Sequence, residues 1–546
     1  MAFMKSSHAA TVSVTTAGTA NNANMFAGSS VQERSTGQNT GSTSTSRSKG
    51  NSNSAIVVGA GLGGLSAAIH LARRGWSVKV LEKNHHPGGR MNVIREAGFT
   101  IDMGPTMLMM PEVIHDLFGV CGKSSEDYLQ MRRLQPAYRI LWPDGVSLDM
   151  GLSTDEMKAQ VRAIAPEDEA GIGQLFEAMR DKYENARHNF IERPFNSMRD
   201  MLSPTTLKGM VKALPLESVY SFVSKYLRTE RLREAFTFQT LYLGMSPFDC
   251  PSIYALLPYI EKEFGVWYPQ GGTGQLAVAM EKLLLEMGGS VEYGATVKKI
   301  VIEQGEAKGV RMVDGTLHMA DAVVCNADAP AAYRDLVDGE HRKKYSDDRL
   351  AKYEYGCSGY LLYLGVKELS HNYMHNMILL SDDYKNVLHD TCHAGRLPEE
   401  PALHVCIPTV TDRSLAPPGH DVVYVLVPCA NTTGDICWDT EGPKLRERTL
   451  AKLEACGLPG LREKIVFERT FTPREFEELY GCYAGAAYGS LTPSFMQSAC
   501  FRPRSKSEDV NRLFFVGAGT HPGGGVPIVL TSGRLAADAV EQAVRR

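Results

Sequence analysis

Three glycines early in the chain have the spacing that a dinucleotide-binding turn requires. They are Gly59, Gly61 and Gly64, and an acidic residue, Glu82, follows eighteen positions after the last of them. Glycine lets the backbone approach a pyrophosphate, the helix N-terminus that follows favours anions, and the acid can accept a hydrogen bond from a ribose hydroxyl. The chemistry indicated is the binding of an ADP-containing cofactor.

The elements around these glycines give the motif its specificity. The apolar run AIVV at 55–58 predicts a buried strand, residues 65–75 have helical periodicity that stops at Gly75, and SVKVLEK from Ser77 predicts a second strand. A glycine motif between a strand and a helix, inside one βαβ unit, is far more informative than the same motif alone. We include its neighbours Gly63 and Lys83 among the predicted cofactor residues.

A second glycine loop follows the second strand, and it bears on the choice between NAD and FAD. Gly88 and Gly89 precede Arg90, whose guanidinium offers donors to a phosphate or to the edge of a flavin. Nicotinamide enzymes do not need such a loop, so its presence favours FAD. The alternative is an ordinary turn without a ligand, which fits these residues equally well. The stretch GFTIDMGPTML then adds three candidates for cofactor contact, which are Gly104, Pro105 and Thr106.

Near the carboxyl end the chain repeats the pattern of strand, glycine loop and helix. RLFFVGAG at 512–519 predicts a strand that ends in Gly517 and Gly519, and a helix begins near Val526, with a proline in its first turn. A glycine loop before a helix N-terminus again favours an anion. The alternative is a packing helix that only closes the sheet.

The three glycine stretches together resemble the carotenoid (phytoene and diapophytoene) desaturases, FAD-dependent flavoproteins of bacterial and fungal type. The segment GAGTHPGGGVP is the most specific part, and the resemblance covers residues 55–546. It implies an α/β fold of the amine-oxidase-like flavoprotein type: a Rossmann-type FAD-binding domain, assembled from separated segments, with an inserted α+β substrate domain. Ala518 stands where many related flavoproteins carry an acid, which leaves the ribityl contact open.

The resemblance also implies domain boundaries. The FAD-binding domain takes residues 55–110, 265–340 and 505–546, and the substrate-binding domain takes 111–264 and 341–504. The segment SVEYGATVKKIVIEQGEAKGV returns the chain to the FAD domain, where the backbone of Val297 is expected to touch the adenine.

The expected activity is desaturation of a long apolar isoprenoid, phytoene or diapophytoene, in carotenoid biosynthesis. A hydride leaves an allylic carbon for the flavin, and a proton leaves the neighbouring carbon. The flavin therefore performs the hydride abstraction, which is the chemically demanding step. Three alternatives stay open: a carotenoid isomerase of the same fold, an amine oxidase, and a prenyl-lipid carrier without flavin. Whether the substrate has the C30 or the C40 skeleton stays open too.

No residue is assigned as catalytic, and no metal site is predicted. Asp102 and Asp149 are candidates for the base, His115 and His393 are expected to be structural, and His521 is expected near the flavin. Six aromatic and methionine residues could be plain core or the wall of a tunnel for an apolar ligand: Phe238, Tyr242, Met245, Tyr254, Tyr259 and Trp267.

The composition argues against several classes of protein and of binding partner. The chain has 546 residues and a net charge of −4, with its basic residues spread along it, which argues against nucleic-acid binding. Its 11 cysteines include no C-x-x-C pair, which argues against zinc and a disulfide framework. No apolar run is long enough for a transmembrane helix.

The first 54 residues differ from the rest in being rich in Ser, Thr, Asn and Gly, with one acid, Glu33. This composition predicts a disordered tail or an organelle transit peptide. Because the expected substrate dissolves only in membranes, we expect a peripheral membrane protein on the cytoplasmic side, or in a plastid if the tail is a transit peptide. The electron acceptor is expected to be oxygen or a membrane quinone.

Overall fold

The computed structural model describes residues 53–196, 198–213, 217–369, 373–498 and 501–544. The predicted tail, residues 1–54, therefore lies outside the described residues except for its last two. The strands of the described chain are β1 Ser54–Val58, β2 Ser77–Leu81, β3 Val93–Glu96, β4 Phe99–Asp102, β5 Met131–Leu134, β6 Tyr138–Leu141, β7 Ser147–Met150, β8 Val266–Pro269, β9 Ser290–Glu292, β10 Val297–Glu303, β11 Glu306–Met312, β12 Leu317–Met319, β13 Ala322–Cys325, β14 Ser358–Lys367, β15 Asn376–Leu379, β16 Leu403–Cys406, β17 His420–Cys429, β18 Ile465–Phe471 and β19 Leu513–Phe515.

The α-helices lie between these strands and after the last of them. They are α1 Leu62–Arg73, α2 Pro111–Gly119, α3 Thr154–Ile164, α4 Glu169–Ala186, α5 Met198–Met201, α6 Pro204–Ala213, α7 Val219–Val223, α8 Glu230–Ala235, α9 Leu257–Phe264, α10 Gln275–Glu286, α11 Ala329–Leu336, α12 Asp347–Leu350, α13 Tyr384–His389, α14 Trp438–Ala455, α15 Leu461–Lys464, α16 Pro473–Tyr480 and α17 Val526–Val544.

A five-stranded parallel sheet carries the first glycine motif. Its strand order is β19-β13-β1-β2-β9, so β1 lies at the centre, with Val57 opposite Val324 on one side and Val80 on the other. Both faces of a parallel sheet must be covered, which explains why its strands are short apolar runs. Helices α1, α10 and α17 pack on one face, and the antiparallel sheet β10-β11-β12 with α11 packs on the other.

A second, seven-stranded mixed sheet lies apart from the five-stranded sheet in strand pairing. Its order is β18-β14-β17-β16-β15-β6-β7, in which only the β15–β6 pair is parallel. The residues of β14 alternate between the two faces, as the period of a strand requires. Leu361 and Tyr363 face the helical segment before β8, whereas Leu362 and Leu364 pack with α14.

The two sheets draw their strands from different parts of the chain. The five-stranded sheet uses residues 54–81, 290–325 and 513–515, and the seven-stranded sheet uses 138–150 and 358–471. Each range lies within one of the two predicted domains except for Ser54, which begins β1 one residue before the predicted boundary. The exact domain boundaries stay a prediction.

Candidate functional site

The first glycine motif lies at the carboxyl edge of the five-stranded sheet. Gly59, which follows β1, has a φ of +96°, and Gly61 caps the N-terminus of α1. A Cβ on Gly64 would collide with the carbonyl oxygen of Gly59, and one on Gly63 would lie 2.9 Å from the backbone nitrogen of Gly517. The glycines therefore allow α1 to sit tightly on β1 and on the terminal loop. The first turn of α1 holds no acidic side chain that would compete with a bound anion.

Asn326 occupies the centre of this glycine cluster and is not among the residues predicted from the sequence. It follows β13, the neighbour of β1, and its amide nitrogen lies 3.5 Å from the Gly59 carbonyl oxygen. A Cβ on Gly61 would lie 2.5 Å from the same nitrogen. The signal that could have found it is its place at the carboxyl end of a parallel strand, where ligands of such sheets bind.

Glu82 and Lys83 follow β2 at the same edge. The Glu82 carboxylate is 4% exposed and accepts hydrogen bonds from the backbone N–H groups of Ala60 at 2.7 Å and Asn84 at 2.9 Å. It therefore fixes the glycine turn to the end of the second strand. Lys83 donates to the carbonyl oxygen of Glu478 at 3.2 Å, and burial lowers the pKa of its amine.

The second glycine loop is joined to the first. The Gly88 N–H donates to the Ala60 carbonyl oxygen at 2.9 Å, and Arg90 donates to the Ala487 carbonyl oxygen at 2.8 Å. Gly104 passes so close to Arg90 that a Cβ there would collide with the Arg90 carbonyl oxygen. These contacts show why two loops that are distant in the sequence form one surface.

The glycine loop between β19 and α17, the terminal loop, lies beside the first two glycine loops and extends the surface that they form. Between β19 and α17, Gly517 has a φ of +96° and donates its N–H to Ser532 Oγ at 3.0 Å. A Cβ on Gly519 would lie 2.5 Å from the carboxylate of Asp328, which follows Asn326 by two residues. The first turn of α17 also lacks an acidic residue. Two helix N-termini, those of α1 and α17, thus face an anion-favouring region.

One cavity of about 610 Å³ runs along this surface. The predicted cofactor residues that line it are Gly59, Gly61, Gly63, Glu82, Lys83, Gly88, Gly89, Arg90, Gly104, Pro105, Thr106, Val297, Gly517, Gly519 and Val526. Gly64 is the exception, because its role is helix packing. The structure brings the other predicted residues together, and their contacts with a cofactor stay predictions.

The two carboxylates considered as a base are not in the wall of this cavity. Asp102 is buried behind it, where the hydroxyl of Tyr268 donates to it at 2.7 Å and burial raises its pKa. Asp149 accepts two hydrogen bonds from Arg139, at 2.6 and 2.9 Å. Neither carboxylate lines the cavity, and each already serves a structural partner.

Of the three histidines considered, one lines the cavity and two do not. His115 contacts Ser125 and His393 pairs with Asp249 at 2.8 Å, and neither lines the cavity. His521 does line it, and its ring stacks edge-on against Phe195. Its Nε2 lies 2.9 Å from the Arg193 carbonyl oxygen.

Beyond the glycine loops the cavity wall is mainly apolar. Of the six aromatic and methionine candidates, Tyr242 and Tyr254 line the cavity, whereas Phe238 and Tyr259 are buried in the core behind it. Many apolar side chains complete the wall. Those from the helical region between β7 and β8 are Phe190, Ile191, Met210, Ala213, Ile253 and Ile260. Leu361 and Leu426 come from the seven-stranded sheet, and Phe476, Phe495 and Phe501 come from the segment between β18 and β19.

Comparison with known proteins identifies the family. The model for flavin-containing amine oxidoreductases matches residues 62–541. The chain belongs to this family. A zeta-carotene-forming phytoene desaturase of Myxococcus xanthus is 40% identical over 88% of this chain and 92% of its own length. A 4,4'-diapophytoene desaturase (4,4'-diaponeurosporene-forming) of Staphylococcus aureus strain Newman is 34% identical over 90% of this chain and 99% of its own.

Solved structures show the same fold. An oxidoreductase from Methanosarcina mazei superposes with a TM-score of 0.63 at 20% identity, over 90% of this chain and 100% of that one. The predicted amine-oxidase-like flavoprotein fold, the resemblance to carotenoid desaturases and the assignment as an FAD-dependent oxidoreductase are confirmed.

The residues of the site fit FAD. The cradle between Gly61, Gly88 and Asn326 has no room for a Cβ on Gly61, as a turn that receives a pyrophosphate requires. Glu82 is placed for the ribose, and the loop before α17 offers a second helix N-terminus. These residues of this flavoenzyme would hold the cofactor along one wall of the cavity and leave the apolar wall to the substrate.

Proposed function

We propose that this FAD-dependent desaturase introduces conjugated double bonds into phytoene, a C40 isoprenoid hydrocarbon. The observation that carries the proposal is the cavity of about 610 Å³, which joins the dinucleotide cradle to a mainly apolar wall. Over the aligned residues, three relatives named as phytoene desaturases are 36% to 40% identical to this chain, against 34% to 35% for two named as diapophytoene desaturases. This difference favours the longer substrate.

The charges in the cavity support a hydrocarbon substrate over an amine. Within the described part of the chain, the carboxylates that line the cavity are Glu82 and Asp328. Glu82 already accepts two backbone hydrogen bonds, and Asp328 accepts from the Tyr483 N–H at 3.0 Å and from the Ser490 hydroxyl. A substrate ammonium would therefore find no free carboxylate. Burial also lowers the pKa of His404, in the wall, to about 4, so its ring is neutral.

The protein's part in the reaction is to orient the chain and to exclude water. Flavin, when bound, supplies the hydride acceptor. Leu361 and Leu426, neighbours on β14 and β17, offer a flat apolar floor against which a polyene can lie. An allylic cation is stabilised by its own polyene, so no nucleophile is needed in the wall.

The test of this proposal is to express the full chain in two hosts, one accumulating phytoene and one accumulating diapophytoene, and to analyse the extracted pigments by absorption and chromatography. We expect coloured, more conjugated products in the phytoene host and little change in the other. Coloured products in the diapophytoene host alone would overturn the substrate length. Colourless cells that hold folded, flavin-loaded protein, with only geometric isomers as products, would favour the isomerase.

We also propose that the protein works at a membrane surface, on the cytoplasmic side or within a plastid, with oxygen or a membrane quinone as electron acceptor. Five exposed apolar residues, the mouth patch, support this: Leu202, Leu207, Val211, Phe495 and Met496. Val211 is 83% exposed, an unusual value for a large apolar side chain. Of the described helices, none is both long and apolar enough to cross a bilayer.

The mouth patch is continuous with the cavity. Leu207 and Val211 lie on the outer face of α6, while Met210 and Ala213 of the same helix line the cavity. Phe495 lines it too, and its ring lies 6.0 Å from that of Phe501. The exposed Lys208 and Lys212 add positive charge to the helix, which fits a bilayer with anionic headgroups.

Replacing both Leu207 and Val211 with aspartate should therefore prevent membrane binding. We expect recovery of the protein with floating phosphatidylglycerol vesicles to fall at least about tenfold, since burial of the two side chains together contributes about 3 kcal/mol or more, over a hundredfold in the binding constant. Flavin content should not change. The matched control replaces Val278 and Leu285, which are exposed on α10, with aspartate. Equal flotation of both double variants would contradict the proposal.

A further inference from the structure

Arg502 is a buried cation in the wall of the cavity. It is 5% exposed, and it follows Phe501 in the segment that leads to β19. Its guanidinium donates to three backbone carbonyl oxygens, those of Ala518 at 2.8 Å, Leu491 at 3.2 Å and Gln497 at 3.3 Å. Ala518 lies between the two glycines of the terminal loop, so Arg502 supports the loop that precedes α17.

This cation has no ion-pair partner in the described ranges of the chain, because no carboxylate oxygen lies within 4.0 Å of it. Arg139, by contrast, is bidentate on Asp149. Among the described residues the Nε–H of Arg502 also finds no acceptor, and it lies against Gly523, whose Cβ would be 3.9 Å away. Asp328 is the carboxylate whose charge acts on Arg502, but its oxygens are held by Ser490 and the Tyr483 N–H.

A buried charge without a partner is costly, and proteins rarely keep one without a ligand that offsets it. An arginine cannot lose its proton in a protein, so the charge persists. The positive end of α17 points to the same loop, and the two positive fields add. Asp328 acts on this cation only from a distance, so a ligand in the cavity can supply the contacting counter-charge that the described residues do not.

We propose that Arg502 is the counter-ion of the reduced flavin. Two-electron reduction places negative charge on a ring that is neutral when oxidised, so a fixed cation beside it stabilises the reduced form selectively. Such stabilisation makes the flavin a stronger hydride acceptor, which a hydrocarbon substrate demands. The inference rests on the binding of FAD by this family and is independent of which isoprenoid is the substrate.

Sulfite affinity tests the proposal, because sulfite binds to oxidised flavin only where the site stabilises negative charge on the ring. The full chain is purified with FAD, and sulfite is titrated against the visible flavin absorbance of wild type, R502M and R502K. We expect sulfite binding to be at least about tenfold weaker in R502M and the two-electron midpoint potential, measured separately, to be lower than in wild type. R502K keeps the charge and should stay within about threefold of wild type.

Two results would overturn the proposal. One is a wild-type protein whose flavin does not bind sulfite, and this measurement needs no variant. The other is R502M, or R502Q if R502M does not retain FAD, with sulfite affinity and potential equal to wild type. A purely structural role predicts instead that R502K loses as much as R502M. Pigment formation is measured separately, so a protein with the expected sulfite behaviour and no product would contradict the proposed function alone.

Discussion

Replacing Gly61 with valine will yield a folded protein that no longer retains FAD. Even a Cβ at this position would lie 2.5 Å from the Asn326 amide nitrogen, and the two valine methyl groups would extend into the turn that faces the cavity. The pyrophosphate and a branched side chain cannot share this space. We expect the flavin content of the purified protein to fall at least about tenfold, a loss of about 1.4 kcal/mol or more.

The measurement is the ratio of visible flavin absorbance to protein absorbance, with circular dichroism to report folding. The matched control is Gly119→Val. Gly119 ends α2, is exposed, and has open space where its Cβ would be, so this variant should keep full flavin content. Full flavin occupancy in the folded G61V protein would refute the placement of the cofactor at the first glycine motif.

The glycine loops could be predicted because their signal is local. Gly59, Gly61 and Glu82 belong to one βαβ unit of about thirty residues, and the geometry of that unit is fixed by strand, turn and helix within it. The terminal loop from Gly517 repeats the same local pattern before α17. Rules that depend only on neighbouring residues predict backbone conformation well. The glycine loops present mainly backbone groups, so such rules are enough to locate them.

The residues between the loops carry no local motif, and for Asn326 the one sequence signal is its place at the end of a strand. Asn326 and Asp328 reach the site only because β13 pairs with β1, and Arg502 only because its segment crosses under the terminal loop. The same reason explains why the candidates for the base lie outside the cavity wall. Asp102 is close in sequence to the second glycine loop, but tertiary packing turns its carboxylate to Tyr268 and away from the cavity.

Filling the apolar part of the cavity should abolish desaturation and leave flavin binding intact. Met210 lines the cavity from α6, a helix that contributes nothing to the glycine loops, and it packs with Phe190 and Phe501. A tryptophan at this position would occupy space that a long hydrocarbon needs, and overpacking of an apolar site costs about 1–3 kcal/mol. For M210W we expect pigment formation in the phytoene host to fall roughly tenfold or more, with unchanged flavin content.

Met210→Leu is the matched control, because it keeps the volume and apolar character of the side chain and should keep most of the activity. Pigment yield and flavin content are measured on the same cell batches, so a loss of protein is separated from a block of the cavity. Loss of flavin in M210W would mean that α6 also supports the cofactor. Full pigment yield in M210W would show that the substrate does not pass α6, and the mouth patch would then lose its connection to the reaction.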